Sequence, residues 1–253
     1  NEYGQAIEHA GKNLKKDKEI VLAAVEQDGY AIEFADKSLK KDRDVVLAAV
    51  QKDGSALEHA NKSLKKDKKI VLAAVENSEY AFEHADASLR KDNKFVMSII
   101  NEDNFSSLKE HLGNGLFKDK EFVLKAIPLG LDAAQIDKKL MKDKSVVLSA
   151  IDYHVSFLEF ADTKFKKDKK IVLRAVQKDS YALEHADSSL KKDKKFILPI
   201  INSDNFYSLI DFIDEELLRD KEFVLKTIPF GLEAEKINQK FFDLNKAYCC
   251  SDH

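Results

Sequence analysis

Leu64-Lys65-Lys66-Asp67-Lys68-Lys69-Ile70-Val71-Leu72-Ala73-Ala74-Val75 is one copy of a segment that recurs along the whole 253-residue chain. Its aspartate stands at Asp17, Asp42, Asp67, Asp92, Asp119, Asp143, Asp168, Asp193 and Asp220, with spacings of 24 to 27 residues. A fixed period of this size marks a stacked array. Each unit is one small supersecondary element, and only its neighbours complete its core. The pattern predicts an all-α fold, an α-solenoid of about nine to ten helix–turn–short-helix repeats of 24–27 residues.

With the aspartate as position zero, +3, +4, +7 and +8 are apolar, which is one face of a 3.6-residue period. Leu or Met at +5 is expected to widen that face, so Leu72→Ala should cost about 2–5 kcal/mol and Ala73→Lys almost nothing. The aspartate is placed to cap the helix by accepting orphan N–H groups. The helix should end near +10, at turns such as Gln27-Asp28-Gly29. A shorter second helix such as Tyr80-Ala81-Phe82-Glu83-His84-Ala85 follows, and then a lysine-rich loop with Leu or Phe165 three residues before the next aspartate.

A longer period overlies the short one. From Asp42 onward the units match again 101 residues later, irregular ones included. Asn101-Glu102-Asp103-Asn104-Phe105 answers Asn202-Ser203-Asp204-Asn205-Phe206, and Ile127-Pro128-Leu129-Gly130-Leu131 answers Ile228-Pro229-Phe230-Gly231-Leu232. A four-unit block was duplicated as a block. The apolar rows run without a gap from Ile20 to Ile228, so residues 1–245 are expected to form one continuous array, followed by a tail, 246–253.

The chain is 44% hydrophobic and 34% charged, with a net charge of −3. That balance disfavours a surface that attracts nucleic acid or acidic membrane as a whole. The longest apolar runs cover about six residues, where a membrane span needs about 20. The absence of a signal-peptide pattern suggests a cytoplasmic, reducing location. Residue 1 falls inside a unit, so the chain is expected to be a piece of something longer. The two cysteines, Cys249 and Cys250, read as free thiols of the tail.

Leu39-Lys40-Lys41-Asp42-Arg43-Asp44-Val45-Val46-Leu47-Ala48-Ala49-Val50, then Gly54-Ser55-Ala56-Leu57, resembles a bacterial and protist tandem-repeat family, the domain of unknown function forty-one-sixteen. The units beginning at Asp92, Asp119, Asp193 and Asp220 depart from its pattern. The resemblance implies a helical array attached to larger proteins, some of host-associated bacteria, so that delivery into a host cell is implied by the family alone. It implies no activity, cofactor or catalytic residue.

Three constellations offer chemistry. The pairs Glu8-His9, Glu58-His59, Glu83-His84 and Glu184-His185 could suggest metal ligation, yet Phe34 and Phe160 take the same slot. Stacked units also hold equivalent residues about 10 Å apart, too far to share one zinc, so a packing or surface role is expected. Gly113-Asn114-Gly115 lacks the Gly-Lys-Ser/Thr of a phosphate loop and reads as a turn. The third is a lysine row, since 27 of the 42 Lys and Arg lie within two residues of the nine aspartates. Stacking should gather them into a basic edge, densest at Lys65, Lys66, Lys68, Lys69, Lys166, Lys167, Lys169, Lys170, Lys191, Lys192, Lys194 and Lys195. Reversing Lys65, Lys66, Lys68 and Lys69 to Glu is expected to leave the fold unchanged.

No catalytic, metal or cofactor set is expected, and the sequence specifies no oligomeric state. The leading expectation is a non-enzymatic scaffold for an unknown protein partner. The alternatives are a basic edge that binds phosphate-bearing ligands (nucleic acid, which is disfavoured, or anionic lipid) and an inert spacer for a catalytic domain elsewhere.

Overall fold

The computed structural model describes residues 5–230. The tail 246–253 with Cys249 and Cys250, and the fading of the repeat at 241–245, lie outside the described residues. The chain forms two compact units, Asn1–Asp132 and Ala133–His253. Among the described residues there is no strand, and every repeat is helical.

Each of the nine aspartates caps a helix. These helices are α1 (Lys18–Gln27), α2 (Arg43–Lys52), α3 (Lys68–Asn77), α4 (Asn93–Ile99) and α5 (Lys120–Ala126) in the first unit. In the second they are α6 (Lys144–Tyr153), α7 (Lys169–Lys178), α8 (Lys194–Ile197) and α9 (Lys221–Thr227). The carboxylate accepts the amide at +3, and in six of the nine that at +2 as well, at 2.8–3.3 Å. An extended aspartate followed by helical residues leaves those N–H groups without intrahelical acceptors, so the cap satisfies them.

The helices of regular repeats end at +10, as the pattern predicts. A second set of side chains then caps a six-residue 3₁₀ helix: Asp28, Asp53 and Asp179 accept the amides of Tyr30, Ser55 and Tyr181. A third set, Asp36, Asn61, Asp86 and Asp187, accepts the amides of Ser38, Ser63, Ser88 and Ser189 and opens the lysine turn. The repeats of Asp17, Asp42 and Asp168 are thus punctuated three times by short polar side chains that compete with helix continuation.

The irregular repeats have local causes. Asn101 and Asn104 bond each other's backbone, and Asn104 Nδ2 donates to Ile99 O at 2.8 Å; Asn202 and Asn205 repeat this geometry with Ile200 O. In the other variant, Pro128 forces a 3₁₀ turn, Ile127–Leu129, closed by Gly130 at φ 94.

The core follows four rows. Positions +3, +4, +7 and +8 are buried at nearly every repeat, as at Ile70, Val71, Ala74 and Val75. From the short helices, Ala31 and Ile32, Ala56 and Leu57, and Ala81 and Phe82 complete it. The expectation for +5 is overturned: Leu72 is 37% exposed, and Leu22, Leu47, Met97 and Leu124 are half-buried. At about 100° per residue, +5 lies about 60° past +8, at the margin of the buried arc. Leu57, with no exposure, is one of the leucines that carry core packing.

In the first unit α1, α2 and α3 pack side by side, and the 3₁₀ helices Gly29–Phe34, Gly54–His59 and Glu79–His84 stack in a second layer. Gly29 and Gly54 permit this approach. A Cβ on Gly54 would lie 2.3 Å from Ala74 O, and one on Gly29 would lie 2.5 Å from Ala49 O.

Candidate functional site

The lysine edge is built on the turn before each aspartate, Leu64–Lys66 being one instance. Its first lysine staples two elements. Its Nζ donates to a carbonyl seven residues earlier: Lys15 to Glu8 O, Lys40 to Glu33 O, Lys65 to Glu58 O, Lys166 to Glu159 O and Lys191 to Glu184 O, at 2.6–2.8 Å. That carbonyl ends a 3₁₀ helix and would otherwise lack a donor. The same lysine's backbone carbonyl accepts the next repeat's amide, as in Asn61 N to Lys40 O at 2.9 Å and Asp187 N to Lys166 O at 3.0 Å. Burial pushes the ammonium groups of Lys40, Lys65 and Lys191 below their ordinary pKa.

After five of the nine aspartates, the next residue reaches the following repeat. Lys18 pairs with Asp42, Arg43 with Asp67, Lys68 with Asp92, Lys169 with Asp193 and Lys194 with Asp220, at 2.5–3.1 Å. The capping carboxylates therefore work twice, once along their own helix and once across the stack. Lys68 holds Asp92 below the usual carboxylate range, and Lys169 does the same for Asp193. Burial pushes Asp67 up, but Arg43 and two amides outweigh it and the net direction is down.

The twelve lysines of the densest stretch divide by role. Lys65, Lys166 and Lys191 are staples. Lys68, Lys169 and Lys194 bridge to the next cap. Lys66, Lys167 and Lys192 face Asp86, Asp187 and Asp214 at 3.5–3.9 Å. Among the described residues, only Lys69, Lys170 and Lys195 of the twelve have no anionic or carbonyl side-chain partner. Of the four lysines in the Lys65/66/68/69 reversal, Lys65 bonds Glu58 O within its own repeat, and Lys68 pairs with Asp92 of the next. Their spacings from Glu58 and Asp92, seven and 24 residues, are present in the sequence, but nothing there separates these lysines from Lys69 until the repeats stack.

The histidines take packing and surface places, His9 being exposed. His59 sits edge-on to the Tyr30 ring of the preceding repeat, centroids 5.2 Å apart, and burial lowers its pKa against Glu33 and Glu58. His84 Nε2 lies 3.3 Å from Glu83. Among the described residues no group of three or more His, Cys, Asp or Glu is gathered as for a metal ion, and no helix is long and apolar enough to cross a membrane. Gly113 donates to Arg90 O at 2.9 Å in the same inter-repeat ladder, which fixes Gly113-Asn114-Gly115 as a structural turn.

Among the described residues of the second unit lie two open depressions. One, of about 420 Å³, lies between Leu173, Val176, Pro199, Ile200 and Asn205, and Pro199 falls just past the short α8. The other, about 400 Å³, is lined by Ile136, Met141 and Phe160 with Lys138, Lys142 and Asp162.

Caps, staples and bridges repeated at one period define an all-α tandem-repeat protein. The chain belongs to the family described as Domain of unknown function (DUF4116), whose pattern matches residues 1–40, 42–90, 67–110, 143–191 and 168–207. Comparisons with curated proteins and with solved structures return no match.

Proposed function

We propose that the chain is a non-enzymatic scaffold that holds a protein partner along repeated, exposed positions of its repeats. One observation carries this reading. Most positions kept from repeat to repeat serve the stack itself, namely the capping aspartates, the stapling and bridging lysines and the four core rows. Two kept positions do not need exposure for folding and yet have it. These are the half-exposed aliphatic row at +5 and an exposed glutamate at +16 in every regular repeat. Repetition of exposed side chains in register suits recognition of an extended partner, as stacked arrays commonly provide. The phosphate-binding alternative has less support, because nine of the twelve densest lysines are already engaged.

A displayed random-peptide library selected on the folded chain tests the reading, alongside binding of labelled duplex DNA and anionic vesicles at low and moderate salt. Enriched peptides with negligible DNA or vesicle binding are expected. An unenriched library together with tight, salt-sensitive phosphate binding would overturn the ranking, because phosphate contacts weaken steeply with salt.

A further inference from the structure

The repeat of Asp17 carries the residues of an inner interface on a face that nothing described covers. At +3 and +7, Val45 and Ala49 have no exposure, nor do Ile70 and Ala74, yet Ile20 is 38% exposed and Ala24 is half-buried. The leucine three residues before the aspartate behaves alike: Leu14 is 47% exposed where Leu39 and Leu89 are buried. Val21 and Val25, at +4 and +8 of the same helix, stay buried, and α1 packs on α2. Rows −3, +3 and +7 are therefore the ones a repeat turns to its predecessor. The polar groups of this face are open too. Of the nine capping aspartates Asp17 is the exposed one, and the other eight are half-buried. Asp42, Asp67, Asp92, Asp193 and Asp220 each take a cation from the preceding repeat, whereas among the described residues Asp17 has none. Gly11 N stands where Asp36 N and Asn61 N donate to Lys15 O and Lys40 O of the preceding repeat, and among the described residues it has no acceptor.

The repeat of Asp220 offers the matching half. In α9, Val224 and Ile228 hold +4 and +8, the rows turned to the following repeat. Their counterparts 101 residues earlier, Val123 and Ile127, have no exposure, but Ile228 is 50% exposed, Val224 is half-buried and the adjacent Leu225 is 59% exposed. Lys221 holds the +1 place from which Lys18, Lys68 and Lys194 reach the next cap. It is exposed, and among the described residues no carboxylate meets it. We propose that a second copy of this chain docks head to tail. α9 of one copy covers Leu14, Ile20 and Ala24 of its partner, as one repeat covers the next within the array, and Lys221 Nζ pairs with the partner's Asp17 carboxylate. Burial of exposed apolar rows drives the contact, and the ion pair fixes its register. The two faces differ, so the interface is heterologous. Such contacts extend into open chains or rings and do not stop at a two-fold dimer. No other protein is needed, so the proposal stands apart from the scaffold reading.

Sedimentation velocity of the full chain over a wide concentration range tests it, with Ile20→Lys and Ile228→Lys as variants. Both side chains are already exposed, so each variant should fold, which circular dichroism checks. The parent chain should form species larger than a dimer as concentration rises, and each variant alone should stay monomeric. An equimolar mixture of the two variants should form a dimer and nothing larger, because Ile20→Lys keeps an intact α9 face and Ile228→Lys an intact α1 face. Lys221→Glu, a change of one exposed charge, should weaken assembly of the otherwise unaltered chain, and it carries the test if either lysine variant misfolds. A parent chain that stays monomeric throughout, a parent that stops at a dimer, variants that assemble like the parent, or a mixture that remains monomeric would each overturn the proposal. Enrichment of peptides from the library is read separately and is unaffected by any of these outcomes.

Discussion

Gly54→Ala tests the stacking geometry most directly. Gly54 opens a short helix under α3, and the added Cβ would lie 2.3 Å from Ala74 O and 3.0 Å from Ser78 Cβ and N. Two of these atoms are backbone, so no flexible side chain can swing aside. Relief requires the two repeats to part by about 1 Å, an overpacking that costs about 1–3 kcal/mol. Parting also stretches the bond from Gly54 N to Asn77 Oδ1, 2.7 Å long, and Asn77 in turn donates to Gln51 O at 3.0 Å. Weakening that bridge adds about 1 kcal/mol. Reduced freedom of the unfolded chain returns about 0.4–1 kcal/mol, leaving a net loss of about 3 kcal/mol at the upper end of the overpacking cost. The control is Gly11→Ala, where a Cβ meets nothing within 4 Å, and its effect should stay within about 0.5 kcal/mol. Urea denaturation followed by circular dichroism measures both, and amide exchange locates the weakened repeats at α2 and α3. If Gly54→Ala melted together with Gly11→Ala, glycine would not be setting the approach of these helices.

Two further outcomes follow from the burial and charge pattern. Leu57→Ala should cost about 2–5 kcal/mol as a fully buried deletion, while Leu72→Ala should cost clearly less because its side chain is already 37% exposed; equal losses in chemical denaturation would refute the face assignment. Asp92 and Asp193 have folded pKa values below the ordinary 3.8 because of Lys68 and Lys169, so the unfolded chain binds more protons between the two values. Their stabilisation is complete above about pH 4 and is lost as pH falls through the folded values, so thermal melts at pH 5 and pH 3 should diverge, and less so in high salt; identical melts would show that the bridges contribute nothing.

The repeat period, the helix starts and most of the core were legible in the sequence, because they depend on local rules. Asp17 and its eight counterparts announce caps, and a run such as Ile70-Val71 with Ala74-Val75 announces a buried face, whatever lies beyond the unit. The duplicated Asn101–Asn104 and Ile127-Pro128 variants were visible too, since an Asx loop and a proline act on their own backbone. What each charge does was not legible. Lys65 and Lys69 look alike as letters, yet one ties down Glu58 O and the other has no such partner. Arg43 finds Asp67, and Lys68 finds Asp92, only once neighbouring repeats stack. Leu72 looks like core because its chemistry is apolar, but its burial depends on how far the adjacent helix wraps around that side. Likewise Glu58 reads as one acid among 45 until stacking aligns it with Glu33 and Glu83. Capping and periodicity are settled within about ten residues of chain, whereas ion pairing and partial burial are settled by groups about 25 residues away, which only tertiary packing brings together.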